Sequence, residues 1–497
     1  MGLIVRLHSL RIVLGKSVAP LSGIVLAIIW WVTAQNGPYA VLDDYRMVSA
    51  VKSMRPFIVE GHAETEFLTG RIVPAVLFDL VWVSVQSIDN LWYVRLLGLF
   101  VVAGSIMLYQ VWFIQYAAIS SPLAKLSVAI TSFSILLLPS VAATTTWAQK
   151  TTQLLALPLA LLAGILTTSH NLRRRRWWII AALVFLSVFC YQHFAATAVL
   201  PLAIALGIEK STFLKPPIWR IFMLLFLIIS ALSANLLFVR LIAPYVLERV
   251  SERSMLTRFS ETIDVLAKGV HIFIDKDVLL VFLSGLLVSV LVTIALLIDR
   301  RSVFVGVAAV IAVGSSVAIT LGGDGDSSYR MTMPTQISLW LGLASLISFS
   351  LQHCRTRVGM SFKLIALAAL LVVSLIIGIE NRDVVQRKIS LANAKDWSEL
   401  NCHLDSLGQG GSLKEVVVRL SPTPLSGSGA VASEIGLLAR HVGWVFRDQW
   451  ELAITSNSDL AWLNQVNLRV LDYDQSLPPK TSSRKIIDLR ASCNAID

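Results

Sequence analysis

Eleven apolar runs dominate this chain, at 18–35, 91–114, 124–140, 151–168, 177–191, 195–209, 218–239, 278–298, 302–321, 332–350 and 363–380. A helix crosses the hydrocarbon core of a bilayer with about 20 mainly apolar residues. In lipid, helices and closed barrels alone satisfy every backbone polar group, so runs of this length predict a bundle of spanning helices. Composition agrees: 56% of the 497 residues are apolar and 15% are charged, against about 25% charged in an average soluble chain. A set of soluble domains and a disordered chain are thereby excluded. Four cysteines in this length exclude a disulfide scaffold. The first run follows Arg6, Arg11 and Lys16 and carries no small-x-small site, so it is expected to remain as an anchor.

Lys and Arg exceed Asp and Glu by 42 − 31 = 11. In a membrane protein such an excess sits in cytoplasmic loops and sets orientation, and no nucleic-acid partner is needed to explain it. Residues 72–89 are apolar but carry Asp79 at their middle and Pro74 near their start. A carboxylate at the bilayer centre costs about 2.5–3.5 kcal/mol. If 72–89 crossed, the run Arg173 to Arg176, Lys210 with Lys215, Arg300 with Arg301, and Arg355 with Arg357 would all lie outside, inverting the positive-inside rule. If 72–89 lies along the interface, all of them fall in the cytoplasm. The second arrangement is expected: eleven spans, interfacial helices in the first outer loop, the N-terminus inside and the C-terminus outside. The outer segments are then 36–90, 141–150, 191–194, 240–277, 322–331 and 381–497.

Residues 1–380 thus read as an all-α polytopic domain and 381–497 as a small α/β domain outside the membrane. The tail has strand-like runs at 415–420 and 467–472, helical patterns near 430–440 and 445–456, and Pro and Gly/Ser turns at 421–429. Cys402 and Cys493 both lie in it, and an oxidising compartment permits a bridge between them without requiring one. Cys190 and Cys354 fall at helix ends on opposite faces and are not expected to pair. Residues 240–277 form an amphipathic stretch suited to a surface lid.

The outer segments hold the residues fit for chemistry. The first contains the pair Asp43-Asp44, then Arg46, Glu60, His62, Glu64, Glu66 and Arg71. A carboxylate at the membrane surface acts as a general base toward a hydroxyl. Ionised oxygens also hold a divalent cation against a phosphate, and arginines grip phosphate through paired hydrogen bonds. The ordinary alternatives are that Asp43 caps a short helix over 44–54 and that Glu60, Glu64 and Glu66 form a solvated face. His62 has no second ligand at zinc spacing. Lys150, beside Gln149, either meets an anionic head group or snorkels to the surface. Tyr191, Gln192 and His193 interrupt apolar sequence at a turn that lacks the usual Gly, Asn or Pro. The stretch 321–334 offers Asp324, Asp326, Tyr329 and Arg330; its DGD is not followed by calcium ligands at the required spacing.

An acid pair just after the first span, in one long first outer loop, resembles the GT-C class of membrane glycosyltransferases. More narrowly, DDYR at 43–46, TGRIVP at 69–74, YQ at 191–192 and YR at 329–330 resemble the O-antigen-modifying glucosyltransferases of bacteria. The likeness covers residues 20–380 in layout and is confined to short motifs in residues. It implies transfer of a sugar from a polyprenyl-phosphate donor to a glycan or lipid acceptor at the outer face of the bacterial inner membrane. Asp43 or Asp44 would be the base, and attack at the anomeric carbon would invert it. Arg71, Lys150 and Arg330 would neutralise the leaving phosphate. Arg46, Glu66, Tyr191, Gln192, His193, Asp324 and Tyr329 would line the substrate pocket, with the lipid tail between spans. No DxD signature stands in the first loop, so metal use stays open: no cofactor is required and a divalent cation is admitted. The tail would serve acceptor recognition. A transporter or flippase for a lipid-linked saccharide is the first rival and predicts charges at the bilayer midplane and repeated halves. An assembly subunit without chemistry is the second.

Overall fold

A computed structural model describes residues 2–35, 39–41, 44–52, 66–82, 84–85, 87–169, 172–211, 219–243, 304–307, 309–311, 333–353, 357–407, 413–420, 443–471, 475–489 and 493. The helices are α1 (Gly2–Ala34), α2 (Asp44–Lys52), α3 (Ile72–Trp82), α4 (Leu91–Tyr116), α5 (Pro122–Leu136), α6 (Pro139–Thr145), α7 (Ala156–Thr167), α8 (Arg174–Cys190), α9 (Val199–Ser211), α10 (Trp219–Ile242), α11 (Met333–His353) and α12 (Arg357–Asp383). A stretch of π-helix, Val384–Leu391, leads into α13 (Ala392–Asp405), β1 (Glu415–Arg419), α14 (Gly443–Ser456), β2 (Asn467–Leu471) and β3 (Arg484–Asp488).

Among the described residues, six helical stretches are long and apolar enough to cross a membrane: Ser17–Ala34, Ile88–Tyr116, Lys150–Thr167, Gln192–Glu209, Trp219–Ile242 and Met333–His353. The chain therefore has the make-up of a multi-pass membrane protein. These six are a count over the described residues, and the expected eleven are not confirmed by it. Pro122–Leu136 and Lys363–Ile379 are shorter apolar helices, and α8 has 17 residues. The expected run 278–298 lies outside the described residues, as do 240–277 except for 240–243. The run expected at 124–140 stops early for a local reason. Leu138 precedes Pro139 and is extended (φ −58°, ψ 137°), as a residue before proline must usually be.

Residues 72–89 do not form one spanning helix. α3 has 11 residues, or about 16 Å of rise, roughly half the hydrocarbon thickness. It ends at Trp82, and a 3-10 turn over Ile88–Asn90 starts α4.

Small and hydroxyl residues let the long helices approach closely. A Cβ on Gly23 of α1 would sit 2.0 Å from the carbonyl oxygen of Ala129 in α5, so only glycine fits that crossing. The hydroxyls of Tyr109 and Ser345, and of Ser127 and Ser348, lie 2.7 Å apart between α4, α5 and α11.

In the tail, β1 is the middle strand of a three-stranded parallel sheet in the order β2-β1-β3. Val417 stands opposite Arg469 on one side and Ile486 on the other. Val416 to Val418 are all buried, as a strand covered on both faces requires. The strands expected at 415–420 and 467–472 are present. β3 was not expected; RKIID is short and three of its five residues are charged. Cys402 and Cys493 are joined as a disulfide with Cα atoms 6.1 Å apart, and Cys190 is a buried free thiol. Cys354 and 430–440 lie outside the described residues.

Candidate functional site

The TGR motif forms a tight helix stop. The amide of Arg71 donates to the carbonyl of Glu66 (2.8 Å) and the amide of Gly70 to that of Phe67 (2.9 Å). Gly70 takes φ +79°. These are the two bonds of a Schellman motif, whose left-handed position favours glycine. The stop turns Arg71 back over the helical end it closes, so its Nη1 lies 3.3 Å from Oε2 of Glu66.

A second element meets this turn. Residues Ala148–Leu155 form a 3-10 helix, where positions three apart eclipse one another. Lys150 and Gln153 therefore share one face. Gln153 donates to Oε1 of Glu66 at 2.7 Å, and Nζ of Lys150 lies 4.0 Å from the same oxygen. The Lys150 ammonium also stands 4.7 Å over the Trp147 ring, and the Arg71 guanidinium 5.1 Å over the Tyr191 ring. Both arrangements suit a cation facing an aromatic π-cloud.

The third element is the Tyr191-Gln192 turn that follows α8. Gln192 donates to the carbonyl of Thr69 (3.3 Å) and to Oδ1 of Asn235 (2.9 Å). Asn235, one of few polar residues in α10, donates in turn to the carbonyl of Gly70 (2.7 Å). The Gly70 turn is thus held by side chains from two helices. His193 is buried, with its ring 4.8 Å from that of Tyr191.

The acid pair divides. Asp43 lies outside the described residues. Asp44 opens α2 and is completely buried. Its Oδ2 accepts from the Val41 amide at 3.2 Å and pairs with Arg95 Nη2 at 3.3 Å. Arg95 also donates to the carbonyls of Thr146 (2.7 Å) and Tyr39 (2.6 Å) and stacks 3.7 Å from the Tyr39 ring centroid. Burial raises the Tyr39 phenol above its usual range, and the neighbouring guanidinium offsets part of this. Its hydroxyl donates to Gln35 at 2.7 Å. Thr146 leads directly to Trp147 and Lys150, so both ion-pair clusters are built on one stretch of backbone.

Of the residues singled out in the sequence, Glu66, Arg71, Lys150, Tyr191, Gln192 and His193 come together. Glu66 is not on a solvated face, being buried, and Lys150 does not snorkel to the surface. Arg46 is half-buried on α2. The helix expected at 44–54 is described as far as Lys52. Asp324, Asp326, Tyr329, Arg330, Glu60, His62 and Glu64 lie outside the described residues. Arg95, Asn235 and Gln153 were missed. The available signal for the first two was a charged or amide side chain inside an apolar helix. Among the described residues no three His, Cys, Asp or Glu side chains group as a metal site.

Comparison of the chain with protein-family models, with curated proteins and with solved structures gave no match. The class that the fold defines is therefore a multi-pass helical membrane protein with a small parallel sheet near its C-terminus.

Proposed function

We propose that this chain is a GT-C-like glycosyltransferase that moves a sugar from a polyprenyl-phosphate donor to a glycan or lipid acceptor. The observation that carries this reading is the Glu66 cluster. Two cations, Arg71 and Lys150, share one carboxylate and are each backed by an aromatic ring. Among the described residues the cluster carries one positive charge in excess, which suits a phosphate group. Arg330 would add a third cation.

Because the Asp44 carboxylate is committed to Arg95, the base falls to Asp43. It takes the proton from an acceptor hydroxyl, whose oxygen attacks the anomeric carbon. The bond from that carbon to the phosphate oxygen breaks, its electron pair leaves with the lipid phosphate, and the centre inverts. Arg71 and Lys150 stabilise the charge growing on the phosphate. Positioning of donor and hydroxyl supplies much of the remainder. Arg46, Glu66, Tyr191, Gln192, His193, Asp324 and Tyr329 are assigned to the pocket. The location is the bacterial inner membrane, with the N-terminus in the cytoplasm. The 402–493 disulfide supports an oxidising compartment for the tail.

The rival reading is a transporter or flippase for a lipid-linked saccharide. The described cations gather at helix ends and turns rather than at mid-span, which favours the enzyme. Incubating purified protein with a panel of polyprenyl-phosphate sugars and a hydroxyl acceptor separates the two. Transfer by the wild type, reduced about 10²–10⁴-fold in Asp43→Asn, is expected. Full activity of that variant rejects the base. Movement of intact donor between leaflets without transfer supports the rival.

A further inference from the structure

Helix α2 is nine residues long, too short to persist alone in water. Asp44, Tyr45, Met47, Val48 and Ser49 are nevertheless all buried. They are covered from two directions. From the helical bundle come Phe78 and Trp82 of α3, Leu91 and Val94 of α4, and Trp147. From the tail come Ile389, Trp397 and Leu452, which belong to the same apolar cluster. The Tyr45 and Trp397 rings stand 5.6 Å apart at 34°, and α2 packs along α14.

Two observations show that this contact is a joint rather than continuous core. Trp397 also packs against the separate core between the sheet, α13 and α14, so one ring belongs to both sides. On α14, Phe446, Trp450, Ala453 and Ile454 face that sheet core. Leu452, by contrast, belongs to the cluster around α2. The joint is therefore held by apolar contacts.

We propose that the tail, through Trp397 and Leu452, holds α2 in working position, next in sequence to the base assigned at Asp43. Trp397 is then a positioning residue for the transfer reaction, and the tail has a task beyond recognising an acceptor. The catalytic half of this statement rests on the glycosyltransferase reading. The mechanical half rests on the contacts alone.

The test uses the full-length protein in nanodiscs with Trp397→Ala, Trp397→Phe and Leu452→Ala. Amide hydrogen exchange over 44–52 should rise about tenfold or more in the two alanine variants. It should stay near wild type in Trp397→Phe. With a polyprenyl-phosphate sugar, kcat should drop about tenfold in the alanine variants while KM for the donor holds within about twofold. Trp397→Phe should restore it. Unchanged exchange over 44–52 in both alanine variants overturns the docking. Raised exchange with unchanged kcat overturns the positioning role. If the wild type transfers no sugar, the glycosyltransferase reading fails, and the exchange measurements alone decide whether the tail holds α2. Should Trp397→Ala not accumulate, Leu452→Ala reads the same joint from α14.

Discussion

Two ion-pair clusters stand a few residues apart on the same backbone and differ in almost every property that matters. In the first, Asp44 and Arg95 are 0% and 2% exposed at their side chains, and the guanidinium is bonded on three sides. In the second, Glu66 faces Arg71 and Lys150, whose side chains are 16% and 9% exposed. One carboxylate there serves two cations. A sealed pair in balance holds structure, and taking one partner away leaves a charge with nowhere to go. A partly open set that, among the described residues, has two cations to one carboxylate is suited to an anion. On the proposed reading, the difference separates the residue that braces α2 from those assigned to the phosphate.

That contrast can be broken most severely at Arg95. Arg95→Met should cost about 3–5 kcal/mol by taking the guanidinium from the buried Asp44 carboxylate, read as a large fall in thermal midpoint in detergent. Adding Asp44→Leu should recover much of it. If the single variant is as stable as wild type, the first cluster is not a brace. Gly70→Val comes next. The left-handed backbone and a Cβ 2.7 Å from the Asn235 amide should cost about 1–3 kcal/mol and disorder the Arg71 turn.

Arg71→Met and Lys150→Met should behave oppositely to Arg95→Met. Stability should change little, while affinity for a short-chain polyprenyl phosphate falls roughly 10- to 100-fold, measured by titration calorimetry. Equal losses of stability in the two clusters would erase the comparison. Glu66→Gln is the smallest and sharpest case. Removing the competing carboxylate should tighten phosphate binding roughly three- to tenfold. Weaker binding would mean that Glu66 aims the two cations more than it competes with the ligand.

Much of the second cluster was legible before any fold was known. Glu66, Arg71, Lys150, Tyr191, Gln192 and His193 drew attention because polar chemistry stood where apolar spans end. Their convergence follows from chain geometry that is partly local. The TGR sequence writes its own helix stop, and positions 150 and 153 share a face once that stretch winds as 3-10 helix. The first cluster was not legible. Arg95 reads as one basic residue early in an apolar helix, and Asp44 as half of an acid pair. They lie 51 residues apart in the chain, and nothing local to either announces the other. The same holds for Asn235, whose partners Gly70 and Gln192 come from distant segments.

Hydropathy and residue type are properties of short stretches, so the sequence alone determined that this chain fills apolar helices and keeps its reactive side chains at their ends. It also marked 72–89 as an unlikely crossing, through Asp79 and Pro74. Partner choice is a property of packing. Only the tertiary structure decided which carboxylate is locked and which is shared, that the tail closes over α2, and that Cys402 meets Cys493. Burial and pairing depend on what arrives from elsewhere in the chain, and that information is absent from any single segment.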